Sequence, residues 1–324
     1  MNSWCMTVLC SMFYKSSLKD LMNLQRNWKA SYVTTIFLKN GRKYSTTKRG
    51  MELAEIVERL EKHAPLSLAE KWDNVGLLVE PSNSSHMVSR ILLTNDVTEV
   101  IIDDALDKKI DMILSYHPPI FNPLKRLTRA SWKERIVVKA IENKIAIYSP
   151  HTVFDVMRDG VNDWLASGLG KGSVKPLKCL TIDDSTAINN WYMKGAGIGR
   201  LCSLEDTVFV DEILQRIKNF LKLDSIRFAR SVSANQYIKT VAICAGSGGS
   251  VLKGVKADMF LTGEMSHHDL LDAVSNGTHV VLGEHSNTER GFLKEKFSKY
   301  LCQLLDSKVT ILNSCNDNDP ISII

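Results

Sequence analysis

DMILSYHPP, residues 111–119, and DMFLTGEMS, residues 258–266, are two versions of one phrase. Each starts at an aspartate, runs through an apolar stretch and ends in polar side chains. Each is followed by a second phrase of the same kind, IAIYSPHTVFD (145–155) in the first copy and VVLGEHSNTE (280–289) in the other. Laying one copy on the other puts His117 on Glu264, His151 on His285 and Asp155 on Glu289, and both copies close with His-x-x-x-acid. Short apolar runs bounded by turn residues read as buried strands. The chain therefore delivers metal-type side chains to the ends of four strands, two in each copy. Two such half-sites facing each other across one core would make a dinuclear metal centre.

Working outward, strands alternate with helices. MELAEIVERLEKHAP has apolar residues at 53, 56, 57 and 60, a helical period closed by Pro65. SLAEKWDNVGLLVE reads as a short helix breaking at Asp73–Asn74 into a strand, and ILLTND (91–96) as a strand. VTEVIIDDALDKKI is an amphipathic helix, DMILSYH a strand, WKERIVVKAIENK (132–144) a helix and IAIYS (145–149) a strand. VNDWLASGLG closes this half, with Gly170 as the helix stop. Residues 171–195 lose the periodicity and read as a connection. The second half gives DTVFVDEILQRIKNFLKL as a helix, IRFAR and KTVAICA as strands and GSGGSVLKGVK as a turn and helix. It continues with ADMFLTGE (strand), HHDLLDAVSNG (helix), THVVLGEHS (strand), NTERGFLKEKFSKYLCQLLDS (long helix) and VTILNS (strand). This order predicts an α/β fold of two similar subdomains, 51–170 and 196–324, with strand ends converging.

Composition narrows the class. The 324 residues suffice for two full cores, and 44% hydrophobic with 24% charged residues is the balance of a soluble globular protein. Residues 1–50 hold nine Lys/Arg against one acid, Asp20, a balance of +8, so the rest of the chain carries −3 of the overall +5. The body of the chain thus lacks the basic surface that binds nucleic acid. The basic, Ser/Thr-rich segment 1–50 has the composition of a mitochondrial transit peptide; the alternatives are a disordered tail or a start upstream of a true first residue at Met51. No apolar run reaches the length of a transmembrane helix. Seven scattered cysteines (5, 10, 179, 202, 244, 302, 315) without a C-x-x-C pair fit a reducing compartment, mitochondrial matrix or cytosol.

Ligands of α/β units collect beyond the carboxyl ends of the strands, where His117, His151, Glu264 and His285 fall. A lone histidine at a strand end is more often structural, and Asp155 or Glu289 alone would be a helix-start carboxylate. The repetition is what favours a site. A His/carboxylate donor set without cysteine suits Zn, Mn, Fe or Co. GSGGS (246–250) offers backbone N–H groups to an anion but lacks the ending of a P-loop, so a plain tight turn is the stronger reading. His267 and His268 stand either as proton relays or as a surface pair, and His63, His86 and His279 look incidental.

WDNVGLLVE, LLTNDVTEVI, ILSYHPPIF, YSPHTVFD, GSGGS, TGEMSHHD and GEHSNTERGF together resemble the NIF-three-like family (Ngg-one-interacting-factor-three-like), eukaryotic branch, over residues 51–324. The resemblance implies two similar α/β subdomains with a dinuclear metal site in the cleft between them, and dimers that in bacterial members form a toroidal hexamer. It puts the metal ligands on His117, Asp155, His285 and Glu289, with Glu289 bridging two divalent ions. The family's His-His pair is here Tyr116-His117. Tyr116 is then an ionised ligand, or the second metal is held more weakly. His151 and Glu264 match positions around the site, and the short 171–195 segment marks a compact form without the inserted domain. Some bacterial members carry a name linking them to GTP cyclohydrolase, and eukaryotic relatives are named for binding transcriptional co-regulators.

These readings give a metal-dependent hydrolase of a small phosphorylated or nucleotide-like substrate, with Glu264, His151 or His268 as the base. The alternative is an interaction protein that binds a co-regulator and keeps a structural metal site. A metal-handling protein is a third reading.

Overall fold

A computed structural model describes residues 50–180 and 190–322. The targeting reading of residues 1–50 falls almost wholly outside that range. The described residues form one compact unit. Two sheets face each other across a shared interior. The first is ordered Thr310–Asn313, Arg90–Thr94, Met112–Ser115, Ala146–Ser149, Gly76–Val79; its first four strands are parallel and the last antiparallel. The second is ordered Arg227–Ala229, His279–Leu282, Met259–Glu264, Tyr237–Ser247, Arg200–Phe209, Gly172–Lys175, with a parallel centre. The two halves of the sequence repeat occupy corresponding places: Met112–Ser115 beside Ala146–Ser149, and Met259–Glu264 beside His279–Leu282, each a parallel pair.

The period of two along each strand sorts residues between layers. Met112, Leu114 and Tyr148 point into the central core with Val241, Ile243, Leu261 and Val281 of the other sheet. Ile113 and Ile147 point outward onto Ile101, Ile102, Ile136 and Val137, and Ala242, Phe260 and Val280 outward onto Leu252 and Ala273. Both faces are covered, which explains why these strands read as unbroken apolar runs. Thr98, Ser131 and Ser266 cap the helices Glu99–Asp107, Trp132–Glu142 and His267–Ser275 by accepting backbone N–H bonds. A helix running from Asn287 to Leu304, π-helical over Phe292–Phe297, lies in the central core and carries Glu289 in its first turn.

Three elements differ from the sequence expectation. The helix expected from Asp206 begins at Val210, because Arg200–Phe209 is a strand whose inward residues are Arg200, Cys202, Leu204 and Val208. Its inward face opens with a charged residue, which hid the alternation. The connection 171–195 contains an edge strand, Gly172–Lys175, with all four residues exposed and hence no apolar period; residues 181–189 of that connection lie outside the described residues. The last strand, Thr310–Asn313, assigned above to the second subdomain, pairs with Arg90–Thr94 of the first sheet. The chain end stitches the two halves together.

Candidate metal centre

Backbone bonds Tyr116 N–H to Thr94 O and His117 N–H to Asn95 O, both 2.9 Å, prolong the first sheet past its last paired residues. They deliver His117 to the cleft. From the opposite sheet comes His285, three residues beyond Leu282, and from the helix behind it Glu289. Donor atoms of His117, His285 and Glu289 lie within 4.8 Å of one another. His117 Nε2 is 3.2 Å from Glu289 Oε2, and His285 Nε2 is 3.4 Å from Glu289 Oε1. His117 Nε2 is buried without a properly directed hydrogen bond. A buried polar atom of that kind calls for a partner.

Each histidine is held from behind. Carboxylates only accept, so each Nδ1 facing one must carry the proton. His117 Nδ1–H donates to Asp96 (3.0 Å), His285 Nδ1–H to Glu264 (2.9 Å) and His151 Nδ1–H to Asp73 (2.7 Å). In the first two, Nε2 is thereby turned on Glu289 as a lone-pair donor whenever the ring is neutral. This carboxylate–histidine arrangement is the usual support of metal-ligating imidazoles. Asn95, fully buried, donates to Glu289 Oε2 at 2.8 Å and fixes the carboxylate's rotation. Burial pushes the Glu289 carboxyl up, but His117, His285 and the Asn95 amide hold it below the usual carboxylate range. Burial opposes the charged form of His117, yet Glu289 and Asp96 raise its pKa to about 11. A metal ion at Nε2 competes with the proton for that lone pair.

Gly246, of the GSGGS segment, backs the cluster at φ +61°. A Cβ there would stand 2.6 Å from Glu289 Oε1 and 3.0 Å from His285 Nε2. Its N–H donates to Thr288 Oγ1 at 2.9 Å, anchoring the helix that carries Glu289. The segment is thus a tight turn whose missing side chain leaves room for the donors. Two imidazoles and one carboxylate, a buried orphan nitrogen and a glycine cradle together fit one divalent ion of the Zn, Mn, Fe or Co type.

The remaining residues named from the sequence divide. Asp155 is not a member of the converging group. Its Oδ1 accepts the hydroxyl of Tyr116 at 2.6 Å, and burial together with the charge of Glu289 raises its carboxyl to about 6. Tyr116 is fully buried, and burial beside Asp155 and Glu289 pushes its phenol well above the ordinary value. His151 lines the cleft with its ring 5.4 Å from that of His117. Glu264 orients His285 from the rim. His268 is exposed beside His267 and is not among the residues lining the cleft. Sequence reasoning missed Asp73, Asn95 and Asp96, and it read the segment beginning at Gly246 as a tight turn without placing it at the donors. Asn95 and Asp96 end the run ILLTND and follow the same polar-strand-end rule that marked His117; Asp73 and Gly246 carried no such signal.

The cleft, about 580 Å³, continues from the histidines onto exposed aromatic rings, Trp72, Phe121 and Trp132, with Lys133 beside them. Trp72 and Phe121 are 5.9 Å apart, and each lies about as far from His151, at 6.0 and 6.2 Å.

Residues 51–320 match the family model described as Duf34/NIF3 (NGG1p interacting factor 3). The chain belongs to the Duf34/NIF3 family. Among members, NIF3-like protein 1 of Drosophila melanogaster is 44% identical over 279 residues, covering 85% of this chain and 90% of that one. NIF3-like protein 1 of Homo sapiens is 39% identical, covering 86% and 94%, and NGG1-interacting factor 3 of Saccharomyces cerevisiae 33% identical, covering 84% and 97%. Of the solved structures, hypothetical protein SA1388 of Staphylococcus aureus superposes with a TM-score of 0.71 at 27% identity, covering 85% of this chain and 99% of that one. Reduced HcgD from Methanocaldococcus jannaschii gives 0.68 at 27% identity, covering 82% and 98%. The mixed α/β fold of this NIF3-family chain is thus shared along nearly the whole length of those proteins.

Proposed function

We propose that the chain is a divalent-metal-dependent hydrolase of a small phosphorylated or nucleotide-like substrate. The observation that carries this reading is the convergence of His117, His285 and Glu289 in a cleft, with each imidazole locked from behind by a carboxylate. A divalent ion in that place supplies Lewis acidity, polarising the scissile group and making water a stronger acid. His151 takes the proton of the attacking water at Nε2, while Asp73 holds Nδ1–H and stabilises the imidazolium. Glu264 orients His285, and His268, beyond the cleft lining, leaves the base role to His151. The rings of Trp72, Phe121 and Trp132 suit a flat heterocycle, and Lys133 an anionic group. Among the described residues, one group of donors converges. Homo-oligomerisation and a mitochondrial destination are proposals resting on the resemblance and on the basic N-terminal segment. Light scattering and sequencing of the mature N-terminus test them.

The test is elemental analysis followed by a screen of phosphomonoesters, nucleotides and amides, on wild type and Glu289→Ala. Turnover that needs metal and disappears in Glu289→Ala supports the hydrolase. Metal-loaded protein inert across the screen sinks it. A second reading, a co-regulator-binding protein with a structural metal, is favoured by the name of the Saccharomyces cerevisiae relative, NGG1-interacting factor 3. It predicts that Glu289→Ala keeps partner binding intact in a pull-down.

A further inference from the structure

We propose that this chain holds a single metal ion, on His117, His285 and Glu289, and that the Tyr116 phenol occupies the place of the second. The inference rests on the metal-site reading above and departs from the two-ion pattern that the resemblance implies.

Its basis is geometric. A second ion would need Asp155 and a donor from position 116. Asp155 Oδ1 is taken by the Tyr116 hydroxyl at 2.6 Å, a hydrogen-bond proton standing where a cation would stand. The ring cannot swing away cheaply, because it is fully buried, 5.4 Å from the His117 ring and 6.2 Å from that of Phe154. Its backbone is pinned on both sides, by the N–H to Thr94 O (2.9 Å) and by the Ser149 hydroxyl donating to Tyr116 O (2.8 Å). Both oxygens of Glu289 face that donor set, Oε2 turned to His117 at 3.2 Å and the Asn95 amide at 2.8 Å, and Oε1 to His285 at 3.4 Å. Asp155 then has a structural part: it accepts the Tyr116 hydroxyl, and its backbone carbonyl accepts the Asn162 amide at 2.9 Å.

Metal-stripped full-length protein titrated with Mn²⁺, counted by equilibrium dialysis and elemental analysis, decides the matter. The expected result is one Mn²⁺ per chain with the electron paramagnetic resonance spectrum of an isolated ion. Tyr116→His supplies the missing donor and releases Asp155, so it is expected to take up two ions with an exchange-coupled spectrum. Tyr116→Phe supplies no donor and is expected to stay at one. Two ions in wild type overturn the proposal, as does a folded Tyr116→His that still holds one. A phenolate-to-iron charge-transfer band in wild type loaded with ferric iron also overturns it. If Tyr116→His fails to fold, the wild-type count and spectrum still decide. No bound metal in wild type is a different result, and it would overturn the metal-site reading itself.

Discussion

Asp73 accepts His151 Nδ1–H at 2.7 Å with one carboxylate oxygen, and with the other it accepts the hydroxyl and the backbone N–H of Thr152. His151 is held at φ 36°, ψ −115°, outside the conformations an L residue adopts readily, at a cost of about 1–3 kcal/mol. The surroundings over-determine that backbone: Asp73 grips the residue on one side and the Thr152–Val156 helix starts on the other. Such strain beside a ring aimed into a cleft is the mark of a positioned group.

Asp73→Asn is therefore expected to lower turnover by about 100-fold or more while leaving metal content unchanged, because a general base contributes roughly 10²–10⁴-fold. Nitrogen NMR of the imidazole should show an Nδ1-protonated His151 in wild type and a changed tautomer in the variant. An unchanged tautomer and unchanged turnover would remove Asp73 from the mechanism.

Gly246→Ala places a methyl group 2.6 Å from Glu289 Oε1 at a backbone φ of +61°. The left-handed conformation costs about 1–2 kcal/mol for an L residue, before any displacement of the carboxylate. Metal affinity measured against a chromophoric chelator should fall at least tenfold. Wild-type affinity would mean that the donors have room to spare.

Arg200 is buried on a strand of the second sheet. It pairs with both oxygens of Asp163 at 2.9 Å and donates to the carbonyls of Met157, Gly197 and Gly199. Arg200→Met strips Asp163 and three carbonyls of their partner, and breaking a buried pair costs about 3–5 kcal/mol. A urea midpoint within experimental error of wild type would show that water replaces the guanidinium there.

His63 looked incidental in the sequence but stacks on Tyr300 (4.1 Å) and meets Tyr192 edge-on (4.0 Å), with Nδ1 buried and unpartnered. Burial, opposed only by the charge of Asp159, lowers its pKa from 6.5 to about 4. The unfolded chain then binds the proton more readily than the folded one, so stability is lost as pH falls from about 6.5 toward 4 and is fully present above that window. The depression corresponds to about 3 kcal/mol. Denaturation curves across this range should be flatter for His63→Phe than for wild type, and parallel curves would count against the assignment.

The strand ends were legible because apolar runs closed by histidine or acid are rare and occur here in register. Asn95 escaped notice although it holds Glu289 across 194 residues of sequence. An asparagine after a strand is ordinary, and only folding brings this one to the helix start. The strand Arg200–Phe209 escaped because its first inward residue is a charged arginine whose partners come from elsewhere in the chain.

The sequence by itself determined the α/β alternation, the doubled pattern and the three side chains that converge, because buried strands demand apolar runs and those runs show where the polar ends fall. Tertiary structure alone decided that Thr310–Asn313 returns to the first sheet, and that Asp73, Asp96 and Glu264 each hold a different histidine. It also decided that Asp155 faces Tyr116 rather than the three converging donors. Pairings of this kind depend on directions and distances of a few ångströms between segments far apart in the chain, which no local pattern encodes.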